Sequence, residues 1–244
     1  MISIPYKVMF SWFPLSTMIT KLRSFVRPFL KEASNLFEMH IYTKGSRAYA
    51  YMAELLDPEK EYFTSNSRII SCEDHSSRGQ KKCLNLVRGS EDSNVLILDD
   101  TREAWTKDNH DNMIVIRRYR FFKYSSQTMC LNSSKSLAEL KTDENEYLEH
   151  ILQLLKQVHA KFFAHKLPNK SHFGNDVRQV LKTLRKQVLK GCEIVFDCRV
   201  LTKVNTIWKM AEEMGATCFQ LEWMHHQSLM WLQQILERRI LLWQ

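Results

Sequence analysis

His40-Ile41-Tyr42-Thr43-Lys44-Gly45-Ser46-Arg47-Ala48-Tyr49-Ala50 and Val95-Leu96-Ile97-Leu98-Asp99-Asp100-Thr101-Arg102-Glu103-Ala104-Trp105 decide how this chain folds. Each opens as an apolar run and ends in polar residues, the pattern of a buried strand with a hydrophilic carboxyl end. Open α/β sheets bind their ligands at the carboxyl ends of parallel strands, so both endings are candidate site.

The neighbouring sequence supports a sheet flanked by helices. From 22 to 37, Phe25, Phe29, Leu30, Ala33 and Phe37 recur at helical spacing, with Pro28 tolerable in a first turn. After the first strand, 46–56 predicts a second helix with Tyr49, Met52, Ala53 and Leu56 on one side, ended by Asp57-Pro58. Arg68 to Ser71 predicts a short strand, followed by a polar loop through Gly79, then the strand ending in Asp99-Asp100 and another from Met113. Strands and helices alternating in this way indicate a parallel α/β sheet. The run from Arg117 to Lys123 interleaves cations with rings, and sheet-edge packing is favoured there over nucleic-acid stacking.

Farther along, Tyr147, Leu148, Ile151, Leu152, Leu155, Val158 and Phe162 form an apolar stripe between 142 and 163. Acids fall early and bases late, as the helix dipole favours. Residues 167–175 have linker composition. A second amphipathic helix follows, with Val177, Val180, Leu181, Leu184 and Val188 inward and Gly191 as its stop. A strand around Cys192 to Phe196 and a short helix from Trp208 to Met214, ending at Gly215-Ala216, complete the pattern.

The 244 residues, 44% hydrophobic and 25% charged, exclude collagen-like and wholly disordered classes. The net charge of +8 points to anionic partners, but its source is local: between Lys156 and Lys190, nine Lys or Arg face the single acid Asp176. A basic linker and one solvated helix face account for it. Cys72, Cys83, Cys130, Cys192, Cys198 and Cys218 show no C-x-x-C spacing, which predicts reduced thiols and no zinc site. Met1 to Thr17 is apolar but lacks a basic start and a small-residue cleavage site, so a secretory signal is not expected. No segment approaches the roughly 20 apolar residues of a membrane span.

Together, the two opening stretches resemble the phosphatase domain of the plant RNA polymerase II C-terminal-domain (CTD) phosphatase-like proteins, in the haloacid dehalogenase superfamily. The resemblance implies a Mg²⁺-dependent protein serine/threonine phosphatase that acts on the phosphorylated CTD in the nucleus, and it allows transcription factors as further partners. It makes Asp99 and Asp100 the metal pair, Thr43 a phosphate-contacting hydroxyl and Lys81 the phosphate-neutralising lysine. Lys82 beside Lys81 leaves that register open by one. Arg47 is a structural residue or a rim contact for an acidic phosphopeptide. Adjacent aspartates at a strand end suit a hard cation. Nucleic-acid contact through the basic linker is possible but not favoured, and no membrane partner is implied.

The family's nucleophile lies in an upstream D-x-D-x-T strand, whereas the first aspartate of this chain is Asp57 and the first acid is Glu32. The expected fold is therefore a haloacid dehalogenase-like parallel sheet with its central first strand missing or replaced, then a helical linker and an incomplete BRCT-like α/β segment. The expected divisions are an unrelated or replaced segment at 1–18, an incomplete phosphatase domain at 19–140, a helix and basic linker at 141–175, a partial BRCT-like domain at 176–218 and an aberrant tail at 219–244. A reading-frame shift or mis-splicing near Thr217 to Phe219 would explain that tail. The expected consequence is little or no turnover. The alternative is a non-catalytic phosphoprotein-binding pseudo-phosphatase, or a chain that does not fold stably.

Overall fold

The structure is a computed structural model, and it describes residues 21–50, 55–63, 68–77, 79–87, 91–119, 121–122, 136–140, 146–164, 176–197 and 201–221. The segment expected at 1–18, most of the 219–244 tail and the 167–175 linker lie outside the described residues. The chain divides into two compact units, 1–181 and 182–244.

The first unit is built on parallel strand pairs. Strand β1 (Ile41–Tyr42) pairs with β2 (Ile69–Ile70), and β3 (Ile97–Asp99) pairs with β4 (Met113–Val115). Thr43 N–H to Ile70 O at 2.9 Å and Ile116 N–H to Asp99 O at 3.0 Å carry each ladder one residue further. Both pairs share one core, in which Tyr42 and Ile70 meet Val95, Ile97, Met113 and Trp105. Ile97 and Trp105 are completely buried, each removal from water contributing about 1.5–3 kcal/mol.

Helix α1 (Val26–Ser34) is shorter than the 22–37 read from periodicity, because Phe25 takes a left-handed conformation (φ 65°) and ends the segment before it. Its buried face is Val26, Phe29, Leu30 and Ala33, and Pro28 stands in the first turn. Helix α2 (Arg47–Ala50) opens the segment expected at 46–56. A four-residue helix α3 (Leu137–Leu140) precedes α4 (Tyr147–Phe163), whose Leu148, Ile151, Leu152, Leu155 and Val158 are buried. Helix α4 packs against α1 within the first unit. An exposed Glu32–Lys156 ion pair and an edge-to-face contact of Phe37 with His159 border that packing.

Helix α5 (Val177–Val188) contains the division between the units. In the second unit, β5 (Glu193–Asp197) and β6 (Thr217–Leu221) pair in parallel around α6 (Leu201–Glu213). Gly191 and Gly215 both take positive φ, at 80° and 96°. A Cβ on Gly215 would stand 2.0 Å from the Lys186 carbonyl oxygen, so only glycine allows that backbone approach. Strand β6 continues through Cys218 to Leu221, past the point where the resemblance in the sequence stops. Among the described residues Cys83, Cys192 and Cys218 are free thiols, and no helix is long and apolar enough to cross a membrane.

Candidate functional site

Asp99 ends β3 and is almost fully buried, so its charge needs partners. Oδ2 accepts from Lys82 Nζ at 2.8 Å and from Trp105 Nε1 at 2.7 Å, and Oδ1 accepts from the Thr101 backbone N–H at 2.9 Å. The lysine is aimed by a backbone bridge. Lys82 N–H donates to Ala104 O at 2.8 Å, and Thr106 N–H returns a bond to Lys82 O at 3.0 Å. The segment bearing Lys82 is thereby strapped to the one bearing Trp105, and both side chains reach the same carboxylate.

Lys81, the residue assigned from the sequence, is exposed, and its neighbour Lys82 occupies the place beside Asp99. Lys82 and Leu84, two apart in an extended stretch, both turn inward, which puts Lys81 on the solvent side. Burial pushes the Lys82 ammonium below lysine's ordinary range. The charge of Asp99 and its hydrogen bond pull it back up, as does Asp100, and Lys44 adds a smaller depression.

The end of β1 lies beside this pair. The Tyr42 ring centroid is 5.6 Å from Lys82 Nζ and 5.2 Å from the Trp105 ring, and its hydroxyl accepts from Cys83 N–H at 3.3 Å and meets His75 Nε2 at 3.1 Å. Burial pushes the Tyr42 phenol up to about 12. Thr43, half-buried, follows at the same end. Its hydroxyl oxygen accepts the Gly45 N–H at 2.9 Å, shaping the turn into α2. No described contact joins that hydroxyl to Lys82 or Asp99.

Asp100 is less enclosed than Asp99. Thr101 Oγ1 donates to Asp100 Oδ1 at 2.6 Å, and Arg118 Nη2 donates to Thr101 Oγ1 at 3.0 Å. Sequence reasoning missed the Thr101 and Arg118 contacts, because Arg118 belongs to the cation-ring run after β4 and nothing local points it at Asp100. Arg47, expected as a structural residue or a rim contact, donates to Ile69 O at 2.8 Å and pairs with Asp74, tying α2 to the end of β2. Burial pushes the Asp74 carboxyl up, but hydrogen bonds from Ser71 and the Arg47 charge outweigh it and hold Asp74 below its usual range.

Asp100 is the more open carboxylate, since both Asp99 oxygens already accept hydrogen bonds, and among the described residues no group of three or more His, Cys, Asp or Glu gathers that could hold a metal ion. Mg²⁺ keeps several waters and needs only one or two carboxylates.

The strand ends of this α/β fold thus present a buried lysine and two adjacent aspartates. The chain belongs to the family described as NLI interacting factor-like phosphatase, which it matches over residues 6–159. RNA polymerase II C-terminal domain phosphatase-like 4 of Arabidopsis thaliana is 51% identical over 209 residues, covering 82% of this chain and 46% of that protein. Phosphatase-like 3 of the same plant is 34% identical over 231 residues, covering 88% of this chain and 18% of that one. The chain thus spans less than half the length of either relative. The solved structure of Fcp1, an essential RNA polymerase II CTD phosphatase, shares the fold with a TM-score of 0.62 at 24% identity, covering 82% of this chain and 66% of that one.

Proposed function

We propose that the chain binds phosphorylated serine or threonine of the RNA polymerase II CTD at the strand ends carrying Thr43, Lys82, Asp99 and Asp100, with Mg²⁺ at the aspartate pair, as a nuclear regulator of transcription. The observation that carries this reading is the buried Lys82–Asp99 pair at the end of β3, with Asp100 beside it and the end of β1 adjoining. Lys82 offers a positive charge where phosphate oxygens would sit, and the Thr43 hydroxyl and nearby backbone N–H groups are donors at the same sheet end. Bound Mg²⁺ would neutralise phosphate charge. The names of the relatives support the choice of substrate.

These 244 residues turn phosphate over little or not at all in this reading. A phosphatase of this kind needs a carboxylate nucleophile, and its loss costs orders of magnitude in rate. Three of the described acids upstream of Lys82 have other work. Glu32 pairs with Lys156 on the surface, Glu38 pairs with Arg68, and Asp57 is buried accepting the N–H groups of Glu61, Tyr62 and Phe63. The second reading, a phosphoprotein-binding pseudo-phosphatase, follows from the same observation. The proposal includes the finer divisions: an incomplete phosphatase domain at 19–140, a helix and basic linker at 141–175 and a partial BRCT-like domain at 176–218.

The test is phosphate release from, and binding of, a phosphorylated CTD peptide with and without Mg²⁺, against an Asp99→Ala/Asp100→Ala control. Mg²⁺-dependent binding without release is expected. Metal-dependent release would overturn the low-turnover reading, and absence of both binding and release would overturn the site.

A further inference from the structure

We propose that a cleft at the amino ends of β1 and β2 receives an arginine side chain of a partner protein; this second site is independent of the phosphate-binding reading. The cleft has a volume of about 410 Å³, and Ser34, Phe37, Glu38, Glu61, Tyr62 and Arg68 are among its walls. That volume falls in the roughly 300–1,000 Å³ range of ligand clefts. Glu38 and Met39 lead into β1 and Arg68 leads into β2, and the two strands run parallel. The cleft therefore lies at the end of this strand pair opposite Thr43.

The walls are held in place by the fold, which lowers the ordering cost of binding. Asp57, only 3% exposed, accepts the backbone N–H groups of Glu61 at 2.8 Å, Tyr62 at 2.7 Å and Phe63 at 2.8 Å, and so fixes the segment that carries two wall residues. Arg68 Nη1 donates to Tyr62 O at 3.4 Å, and its Nη2 lies 3.2 Å from Glu38 Oε1, bracing one wall against the other. His40 Nε2 stands 3.5 Å from that same Oε1. Both described contacts of Glu38 fall on Oε1, and its side chain is 65% exposed, so Oε2 is the open oxygen. Glu61 is exposed, and its carboxylate accepts from the Tyr62 hydroxyl. The residues that end α1 form a third wall, and a helix end presents carbonyl oxygens and the negative end of its dipole. Two carboxylates and these carbonyls outweigh the single guanidinium of Arg68, so the cleft favours a cation. A second guanidinium suits it better than an ammonium, because a planar fork can span Glu38 Oε2 and a carbonyl oxygen together and can stack on an aromatic wall.

The test is a titration of the ¹⁵N-labelled full chain with N-acetyl-arginine methylamide, followed by amide chemical shifts. The chain carries a formal charge of +8, so a cationic ligand has no general attraction to it and saturable binding reports the cleft. Shifts confined to residues 34–39 and 61–62 are expected. Glu61→Gln, an exposed and nearly isosteric change, should weaken binding by about 10-fold or more, and the uncharged citrulline analogue should bind wild type more weakly by a similar factor. The lysine analogue should also bind more weakly than arginine. No saturable shift, shifts elsewhere, or equal binding of the citrulline analogue would overturn the site. Tighter binding of the lysine analogue would overturn the choice of guanidinium. Free arginine bound about 10-fold more tightly than the capped form would overturn the protein partner in favour of a small molecule, since a residue within a chain offers no free termini. Should Glu61→Gln fail to fold, the citrulline comparison on wild type decides alone.

Discussion

Replacing Lys82 by methionine removes the cation from a pair whose side chains are only 7% and 4% exposed and whose Nζ–Oδ2 distance is 2.8 Å. Asp99 is then left buried without the ammonium that sits 2.8 Å from its Oδ2. Leaving such a charge uncompensated costs roughly 3–5 kcal/mol, a large share of the roughly 5–15 kcal/mol that holds a typical domain folded. Lys81→Met, on the exposed neighbour, should change stability by less than about 0.5 kcal/mol. Equilibrium urea unfolding of wild type, Lys82→Met, Asp99→Asn and the double variant gives the coupling directly. Because each single change strands one partner and the double strands neither, the double variant should cost less than the sum of the singles by on the order of 1–3 kcal/mol. A Lys82→Met midpoint equal to wild type, additive costs, or a Lys81→Met variant just as damaged would refute the placement of the pair.

Three further outcomes follow from single positions. His40 is buried with Nδ1 unpartnered, and burial lowers its pKa from 6.5, aided by Arg68 and opposed by Glu38. The folded state binds fewer protons than the unfolded one in that window, so stability is full above about pH 6.5 and declines as pH falls through the depressed value. His40→Asn should flatten this decline, as read by urea midpoints from pH 7 to pH 5; parallel curves would count against it. Gly215→Ala, with a Cβ 2.0 Å from Lys186 O and φ at 96°, should destabilise the second unit by on the order of 1–3 kcal/mol or more, visible as faster hydrogen exchange in β5 and β6. Thr43→Val should weaken phosphopeptide binding by about 1 kcal/mol, the value of one hydrogen bond, in fluorescence anisotropy; unchanged affinity would remove Thr43 from the site.

Much of the scaffold was legible locally. The strands at 41–42, 69–70, 97–99 and 113–115 fall where apolar runs meet polar endings, and the inward faces of α1 and α4 follow the spacing of their apolar residues. That legibility has a physical basis: strand and helix geometry repeat over a few residues, so burial leaves a periodic mark in the chain. Local signals failed where the backbone departed from the repeat. Phe25 is an example, since its left-handed conformation leaves no mark in an apolar pattern that runs on through it.

By itself, the sequence determined that a parallel α/β sheet would present Thr43 and the Asp99–Asp100 pair at strand ends, since those choices depend only on which short runs must leave water. It did not decide which cation neutralises Asp99. Lys81 and Lys82 have the same chemistry, and only the strap between Lys82 and the segment at Trp105 turns one of them inward. The same holds for the Trp105 N–H on Asp99, for Arg118 on Thr101 and for Arg47 on Asp74. These partners are brought together by docking of separate elements, and a buried polar group is satisfied by whichever donor the packed chain delivers to it. That pairing depends on tertiary geometry and desolvation, which residue spacing does not encode.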